Sequence, residues 1–229
     1  MHYGLDHASA DPAFRYYHAA RAYLEGGEWN AAEVAQLLEG AGFPLRDAGS
    51  FLEFACGYGR LTRHFVHMIS PSKITVSDID PRAVDFVREK FGVGGFPSAS
   101  TGEQLTREER YDVIVVVSLF SHLSLADWGP WLTRLHKMLN PDGVLLFSTH
   151  NPDDADQERV ELKADGFLYM EENETRGRLD VAHYGVTYVS KEYVQRAVSE
   201  NPAARLVNYS PRALMGGQDA YVVQSVAAG

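Results

Sequence analysis

The sequence predicts an α/β fold: a doubly wound, mostly parallel sheet with helices on both faces. Three observations carry this expectation. Short apolar runs alternate with segments of helical spacing from Phe51 to Thr149, the pattern of repeated strand–helix–strand units. The run Tyr111-Asp112-Val113-Ile114-Val115-Val116-Val117 is apolar on both faces, as a strand covered on both sides of a parallel sheet must be. The first run, Phe51-Leu52-Glu53-Phe54, leads into Ala55-Cys56-Gly57-Tyr58-Gly59-Arg60, a glycine-rich turn that opens a helix. Leu61, Phe65, Met68 and Ile69 fall on one face of that helix.

The elements follow in order. Residues from about Asp11 to Glu25 and from Asn30 to Gly40 read as two helices, with Asp11-Pro12 and Asn30 as start signals and Gly40 as a stop. They predict an N-terminal helical cap over residues 1–48, followed by one main domain over residues 49–229. After the glycine turn comes the strand Lys73–Asp78, and Asp80-Pro81 starts the next helix, with Asp80 as its N-cap. A helix from about Leu125 to Leu139, the turn Asn140-Pro141-Asp142-Gly143 and the strand Val144–Thr149 complete a five-stranded parallel half.

From His150 to Ser190 the chain becomes polar and charged. Two short apolar runs, Gly166–Met170 and Val186–Val189, predict a hairpin-like lid inserted at about residues 150–190. A helix from about Lys191 to Glu200, a strand Arg205–Tyr209, the turn Gly216-Gly217-Gln218-Asp219 and a strand Ala220–Val226 follow.

The turn is the functional signal. A backbone that passes close to a ligand has no room for a β-carbon, so Gly57 and Gly59 in alternation mark a ligand-facing turn. A phosphate loop needs Gly-Lys-Ser/Thr at its end, and here Gly59 is followed by Arg60-Leu61-Thr62. A GxGxxG dinucleotide fingerprint started at Gly57 needs glycine where Thr62 stands.

The strand with its acidic residue, the turn and the following helix resemble the first motif of the class I S-adenosylmethionine (SAM) dependent methyltransferases. Asp78 at the end of the second strand, the YDVI strand, the helix after it and the L-x-P-x-G turn Leu139–Gly143 follow in that family's order. The resemblance is firm from Phe51 to Thr149 and looser to Val226. It implies a Rossmann-like, seven-stranded sheet whose last strand is antiparallel.

The resemblance also implies a cofactor site. Glu53 takes the place of the acid that receives the cofactor's ammonium, directly or through water. Gly57 and Gly59 admit the methionine portion, and Ala55 replaces the glycine that usually opens the motif. Asp78 accepts the ribose hydroxyls and Ile79 packs on adenine. Relatives often hold the adenine amine with an aspartate after the third strand; this chain has none there, and Ser100 or a backbone carbonyl is the substitute. Leu119 and Phe120 are expected against the methionine side, with a core position equally open to them.

The implied activity is transfer of the sulfonium methyl to an oxygen or nitrogen nucleophile of a small-molecule acceptor by in-line displacement, leaving S-adenosylhomocysteine (SAH). Such chemistry asks mainly for alignment and exclusion of water. A base is needed where the nucleophile must lose a proton. His122 and His150 stand just beyond the C-terminal ends of the fourth and fifth strands, where open α/β sheets bind ligands, and imidazole has the proton affinity for that work. They are the candidate catalytic residues, with His183 and Tyr184 in the lid as substrate contacts. Trp128 and Trp131 read as packing.

Other classes are weighed on the same residues. An aminopropyltransferase expects paired acids after the fourth strand, and Ser118–Ser124 has none. A SAM-binding protein without transfer remains a further reading, and a dinucleotide-dependent oxidoreductase is opposed by the missing third glycine. No G-x-S-x-G elbow is present, and His64, His67 and His136 lack chelating company, so no metal is expected.

The chain of 229 residues is long enough for one sizeable core and short for two full domains. Its net charge of −10, with no basic run, disfavours a nucleic-acid substrate. No apolar run approaches the roughly 20 residues of a membrane span, and no basic-then-apolar start precedes the single cysteine, Cys56. The expectation is a cytoplasmic protein with no membrane association; oligomeric state is unreadable.

Overall fold

The computed structural model describes residues 12–157, 161–172 and 179–226. A long helix α1 (Pro12–Gly40) precedes β1 (Phe51–Phe54), α2 (Thr62–Phe65), β2 (Ile74–Asp78), α3 (Pro81–Phe91) and β3 (Gly94–Pro97). Then come β4 (Tyr111–Val116), α4 (Leu125–Lys137), β5 (Leu139–Thr149) and the short α5 (Asp153–Gln157). The chain closes with β6 (Phe167–Met170), β7 (Val186–Val189), α6 (Lys191–Ser199), β8 (Ala204–Leu214) and β9 (Gln218–Ser225).

Seven strands form one sheet in the order β3-β2-β1-β4-β5-β9-β8. The first five are parallel, and β9 runs antiparallel to both β5 and β8. Strand order reverses between β1 and β4, so a crevice opens beyond their carboxyl ends. Side-chain alternation divides the core between the two faces. Val113, Val115, Val144 and Leu146 join Val34, Leu38, Phe65, Val84 and Val87 on one face. Ile114, Val116, Leu145 and Phe147 join Trp128, Trp131, Leu135 and Val194 on the other. The strands β6 and β7 pair antiparallel as a separate hairpin.

Three local expectations are corrected. Asn30 does not start a second helix, because α1 runs through it unbroken to Gly40. Its side chain donates to the Gly26 carbonyl at 2.5 Å, one turn back, and accepts from the Met215 amide at 2.6 Å, so it is satisfied without ending the helix. The Asp11 start signal lies outside the described residues. Asn140–Gly143 is not a break before a strand but an irregular stretch inside β5: Leu139 pairs with Tyr111, and pairing resumes at Val144 with Val113. Gln218 and Asp219 belong to β9 rather than to its turn, Asp219 pairing with Thr149. Asp80 caps α3 as expected, accepting from the Arg82 amide at 3.0 Å. No helix among the described residues is long and apolar enough to cross a membrane.

Candidate active site

A cleft of about 1270 Å³ occupies the crevice at the β1/β4 reversal. Its walls come from α1, the turn after β1, the end of β2, the segments after β3, β4 and β5, the lid and the β8–β9 turn.

The turn is held in left-handed backbone, with φ of +60° at Ala55, +52° at Gly57 and +72° at Gly59. The two glycines serve different ends. A β-carbon on Gly57 would meet nothing within 4 Å, so this position faces open space in the cleft. One on Gly59 would stand 2.8 Å from Phe91 and 3.1 Å from Val87, so Gly59 is required by the packing of α3 and does not line the cleft. Ala55 carries a side chain in a conformation that costs an L-residue roughly 1–2 kcal/mol, and it does so on the cleft wall.

Asp78 is fixed from two sides. Its Oδ2 accepts from the Gly57 amide at 2.8 Å and its Oδ1 from the Asp80 amide at 2.9 Å. Burial raises its pKa, while these two amides act against the rise. Each carboxylate oxygen keeps acceptor capacity beyond one amide. Asp78 and the exposed Ile79 line the cleft, as does Ser100 after β3.

Glu53 lies outside the cleft wall, buried within β1 behind the turn. Thr62 Oγ1 donates to its Oε2 at 2.6 Å. Burial pushes its pKa up to about 8, Thr62 opposes that shift and the charge of Asp78 adds to it. Phe120 is corrected to a core residue. It is fully buried, with ring centroids 5.0 Å from Trp128 and 4.7 Å from Phe147, while its neighbour Leu119 lines the cleft.

The histidine candidates converge. His122 Nδ1 is 2.8 Å from the Gly185 carbonyl and His150 Nδ1 is 3.2 Å from the Thr187 carbonyl; a carbonyl only accepts, so both hydrogens sit on Nδ1. The rings of His122 and His150 are 5.7 Å apart, and His122 stacks on Tyr184 at 4.6 Å. His183 Nδ1 meets Asp127 Oδ2 at 2.8 Å. Asp127 is buried, also accepts from Ser124 Oγ at 2.6 Å, and is the leading cause of a raised His183 pKa. His122, His150, His183 and Tyr184 all line the cleft.

The lid is stitched to the segment after β4. The Gly185 amide donates to the His122 carbonyl at 2.7 Å, the Thr187 amide to Ser121 at 2.8 Å and the Ser124 amide to His183 at 3.2 Å. Below them Ser118, with φ of +65°, donates its amide to Ser148 Oγ at 2.9 Å, and Gln218 Nε2 donates to Ser118 Oγ at 2.8 Å.

Sequence reasoning missed Asp127 and Arg60. Asp127 had a signal in the Ser124-x-x-Asp127 spacing of a helix start, and Arg60 in its place directly after the turn. Trp128 and Trp131 pack as expected, though Trp131 also reaches the cleft.

The fold is a Rossmann-like α/β sheet with a cleft at its strand-order reversal, in the topology of the methyltransferases. A family model described as a methyltransferase domain matches residues 52–145. A SAM-dependent methyltransferase structure from Clostridium acetobutylicum superposes with a TM-score of 0.64 at 12% identity, over 95% of this chain and 100% of that one. An amino pentose methyltransferase from Micromonospora echinaspora, solved with SAM bound, superposes with a TM-score of 0.63 at 18% identity, again over 95% and 100%. Among curated proteins, the malonyl-acyl-carrier-protein O-methyltransferase of Acetivibrio thermocellus is 29% identical over 99 residues, 43% of this chain and 34% of that protein. The tRNA N(3)-methylcytidine methyltransferase trm140 of Schizosaccharomyces pombe is 31% identical over 144 residues, 58% of this chain and 46% of that protein. The chain thus matches between a third and a half of the length of these curated relatives. Its fold is that of the Rossmann-like SAM-dependent methyltransferases.

Proposed function

We propose that the protein is a cytoplasmic enzyme that transfers the methyl group of SAM to an oxygen or nitrogen nucleophile of a small-molecule acceptor. The observation that carries this reading is the Gly57–Asp78 unit: an open left-handed turn beside a carboxylate already oriented by two backbone amides. Asp78 would receive the ribose hydroxyls, Ile79 and Ser100 the adenine end, and Ala55, Gly57 and Leu119 the amino-acid end, all of them on the cleft wall. The cofactor supplies an activated methyl on a sulfonium, so the protein's tasks are orientation and exclusion of water.

Those tasks fall to the lid side. The cleft exceeds the roughly 300–1,000 Å³ of ordinary ligand pockets, which leaves room for an acceptor beside the cofactor. His122, His150 and Tyr184 would grip the acceptor, with His122 and His150 as the candidates for proton transfer at Nε2, since Nδ1 of each is committed to a carbonyl. The ring of His183 is hydrogen-bonded to the Asp127 carboxylate, which makes it a third candidate for that role. A net charge of −10 supports a small acceptor over nucleic acid.

Calorimetry with SAM and SAH tests the reading, together with release of labelled methyl to a panel of small hydroxylated and amine-bearing compounds. Wild-type protein binds both ligands, and Asp78→Ala weakens them at least 100-fold. Failure of the wild type to bind either ligand removes the proposal.

A further inference from the structure

His183 is held against the start of α4 through both its backbone and its ring. Its carbonyl accepts from the Ser124 amide at 3.2 Å, and its amide donates to the Asp180 carbonyl at 3.0 Å. Its Nδ1 lies 2.8 Å from Asp127 Oδ2, which also accepts from Ser124 Oγ at 2.6 Å. The Asp127 side chain is 6% exposed and that of His183 48%. Asp127 stands in the first turn of α4, where the helix dipole favours negative charge. A buried carboxylate thus backs a half-exposed imidazole whose residue lines the cleft.

This pairing prepares the ring to take a proton. With the Nδ1 hydrogen directed at Asp127, the lone pair is on Nε2, at the opposite edge of the ring. A full negative charge behind the ring stabilises the imidazolium that forms, whereas a carbonyl, such as those bonded to Nδ1 of His122 and His150, offers a dipole.

Two observations bear on what delivers the proton. The first is the wall itself. The His122 ring stacks on Tyr184 at 4.6 Å and meets His150 at 5.7 Å, and His150 meets Tyr188 at 5.2 Å. These four rings run along the cleft, with the half-exposed Trp29 also on its wall, and a flat ring stacks well on such a surface. The second is proton affinity. Imidazole titrates at about 6.5 and a phenol at about 10, whereas a hydroxyl like that of water titrates at about 16, far beyond the reach of a histidine base. A neutral amine already holds the lone pair it attacks with, so it gives a carboxylate-backed base little to do before transfer.

We propose that the acceptor is a planar ring bearing an acidic hydroxyl, of the phenol or enol class, that His183 takes its proton at Nε2, and that Asp127 is the positioning residue that holds His183 for this step. The O–H proton passes to Nε2 as the oxygen forms its bond to the methyl carbon; the electron pair of the broken carbon–sulfur bond stays on sulfur, and the imidazolium then returns the proton to water. This rests on the methyltransferase reading above and adds to it the acceptor's chemical class.

The test uses the full chain saturated with SAH and the probe 4-nitrophenol, whose phenolate is strongly coloured and whose phenol is not, at a pH below the probe's own pKa. Wild-type protein binds the probe in its coloured form, and binds 4-nitroaniline, which lacks the acidic hydroxyl, at least 10-fold more weakly. His183→Gln abolishes the coloured fraction. Asp127→Asn lowers it about 10-fold, and both variants keep SAH affinity within twofold of wild type. With labelled SAM, His183→Gln lowers transfer to phenols about 100-fold or more, the scale of a lost general base. No binding of 4-nitrophenol, binding only in the colourless form, a coloured fraction that survives His183→Gln, or transfer to amines and to no phenol each overturns the proposal. Wild-type protein that does not bind SAH defeats the cofactor reading itself. Circular dichroism confirms that each variant is folded.

Discussion

The Gly57 amide donates to Asp78 Oδ2 at 2.8 Å, which joins the turn after β1 to the end of β2 as one unit. A ligand gripped by the Asp78 carboxylate is thereby registered against the turn that faces it. The same bond places a conformational demand on the turn and an electrostatic one on the groups behind it, and both are measurable.

Ala55 bears the conformational demand. With φ of +60° it holds a side chain in left-handed backbone at a position where glycine is free of that strain. Ala55→Gly relieves the strain and gives back part of the gain as unfolded-chain entropy, for a net stabilisation of about 0.5–1 kcal/mol. Urea denaturation reads this as a higher midpoint at unchanged slope; a lower midpoint contradicts it.

Glu53 bears the electrostatic one. Its folded pKa of about 8 stands above the ordinary carboxylate value of 4.5, chiefly through burial. The folded protein therefore holds a proton that the unfolded chain releases, so the stability tied to it is complete below about 4.5 and is lost as pH rises through about 8. Between pH 5 and pH 9 the wild type is expected to lose on the order of 3 kcal/mol that Glu53→Gln does not lose. If Glu53 also receives the ammonium of SAM, SAH binding at pH 7 releases a proton. Calorimetry in buffers of different ionisation enthalpy detects it, and binding without proton release removes Glu53 from that role.

The Asp127–His183 pair has a pH signature of the other kind. Hydrogen bonding to Asp127 and its charge raise the His183 pKa, Asp180 adds to this, and burial acts against it. The stability the pair contributes is present below the unfolded histidine value of 6.5 and is lost as pH rises through the raised folded value. Asp127→Asn is expected to lower the His183 pKa in an NMR titration and to be less stable than wild type at pH 6, with the gap narrowing by pH 9. An unmoved His183 titration contradicts the pairing.

The central strands of the parallel half are legible in the sequence because they must be apolar on both faces, a local demand that Val113–Val116 and Val144–Phe147 meet without ambiguity, whereas the edge strand β3, Gly94–Pro97, carries no such pattern. Asn30 is misread because its capping chemistry is used tertiarily: a partner 185 residues away, Met215, takes the acceptor that a helix start would have used. Leu119 and Phe120 are neighbours in sequence, and only the backbone direction at the end of β4 sends one to the cleft and the other to the core. Asp127 and His183 lie 56 positions apart, and no spacing rule couples them. The β1–β2 side of the cleft is encoded in contiguous motifs, whereas its lid side is assembled by the chain folding back on itself.

The stitching of residues 183–187 to 121–124 bears on how acceptor preference is inherited or transplanted. Because the backbones of His183, Gly185 and Thr187 are bonded to those of Ser124, His122 and Ser121, a change of backbone path in either segment is expected to shift the other. A graft of the lid alone from a relative brings side chains without the edge that positions them. The two stretches constitute a single exchangeable cassette, and acceptor range is expected to travel with the pair.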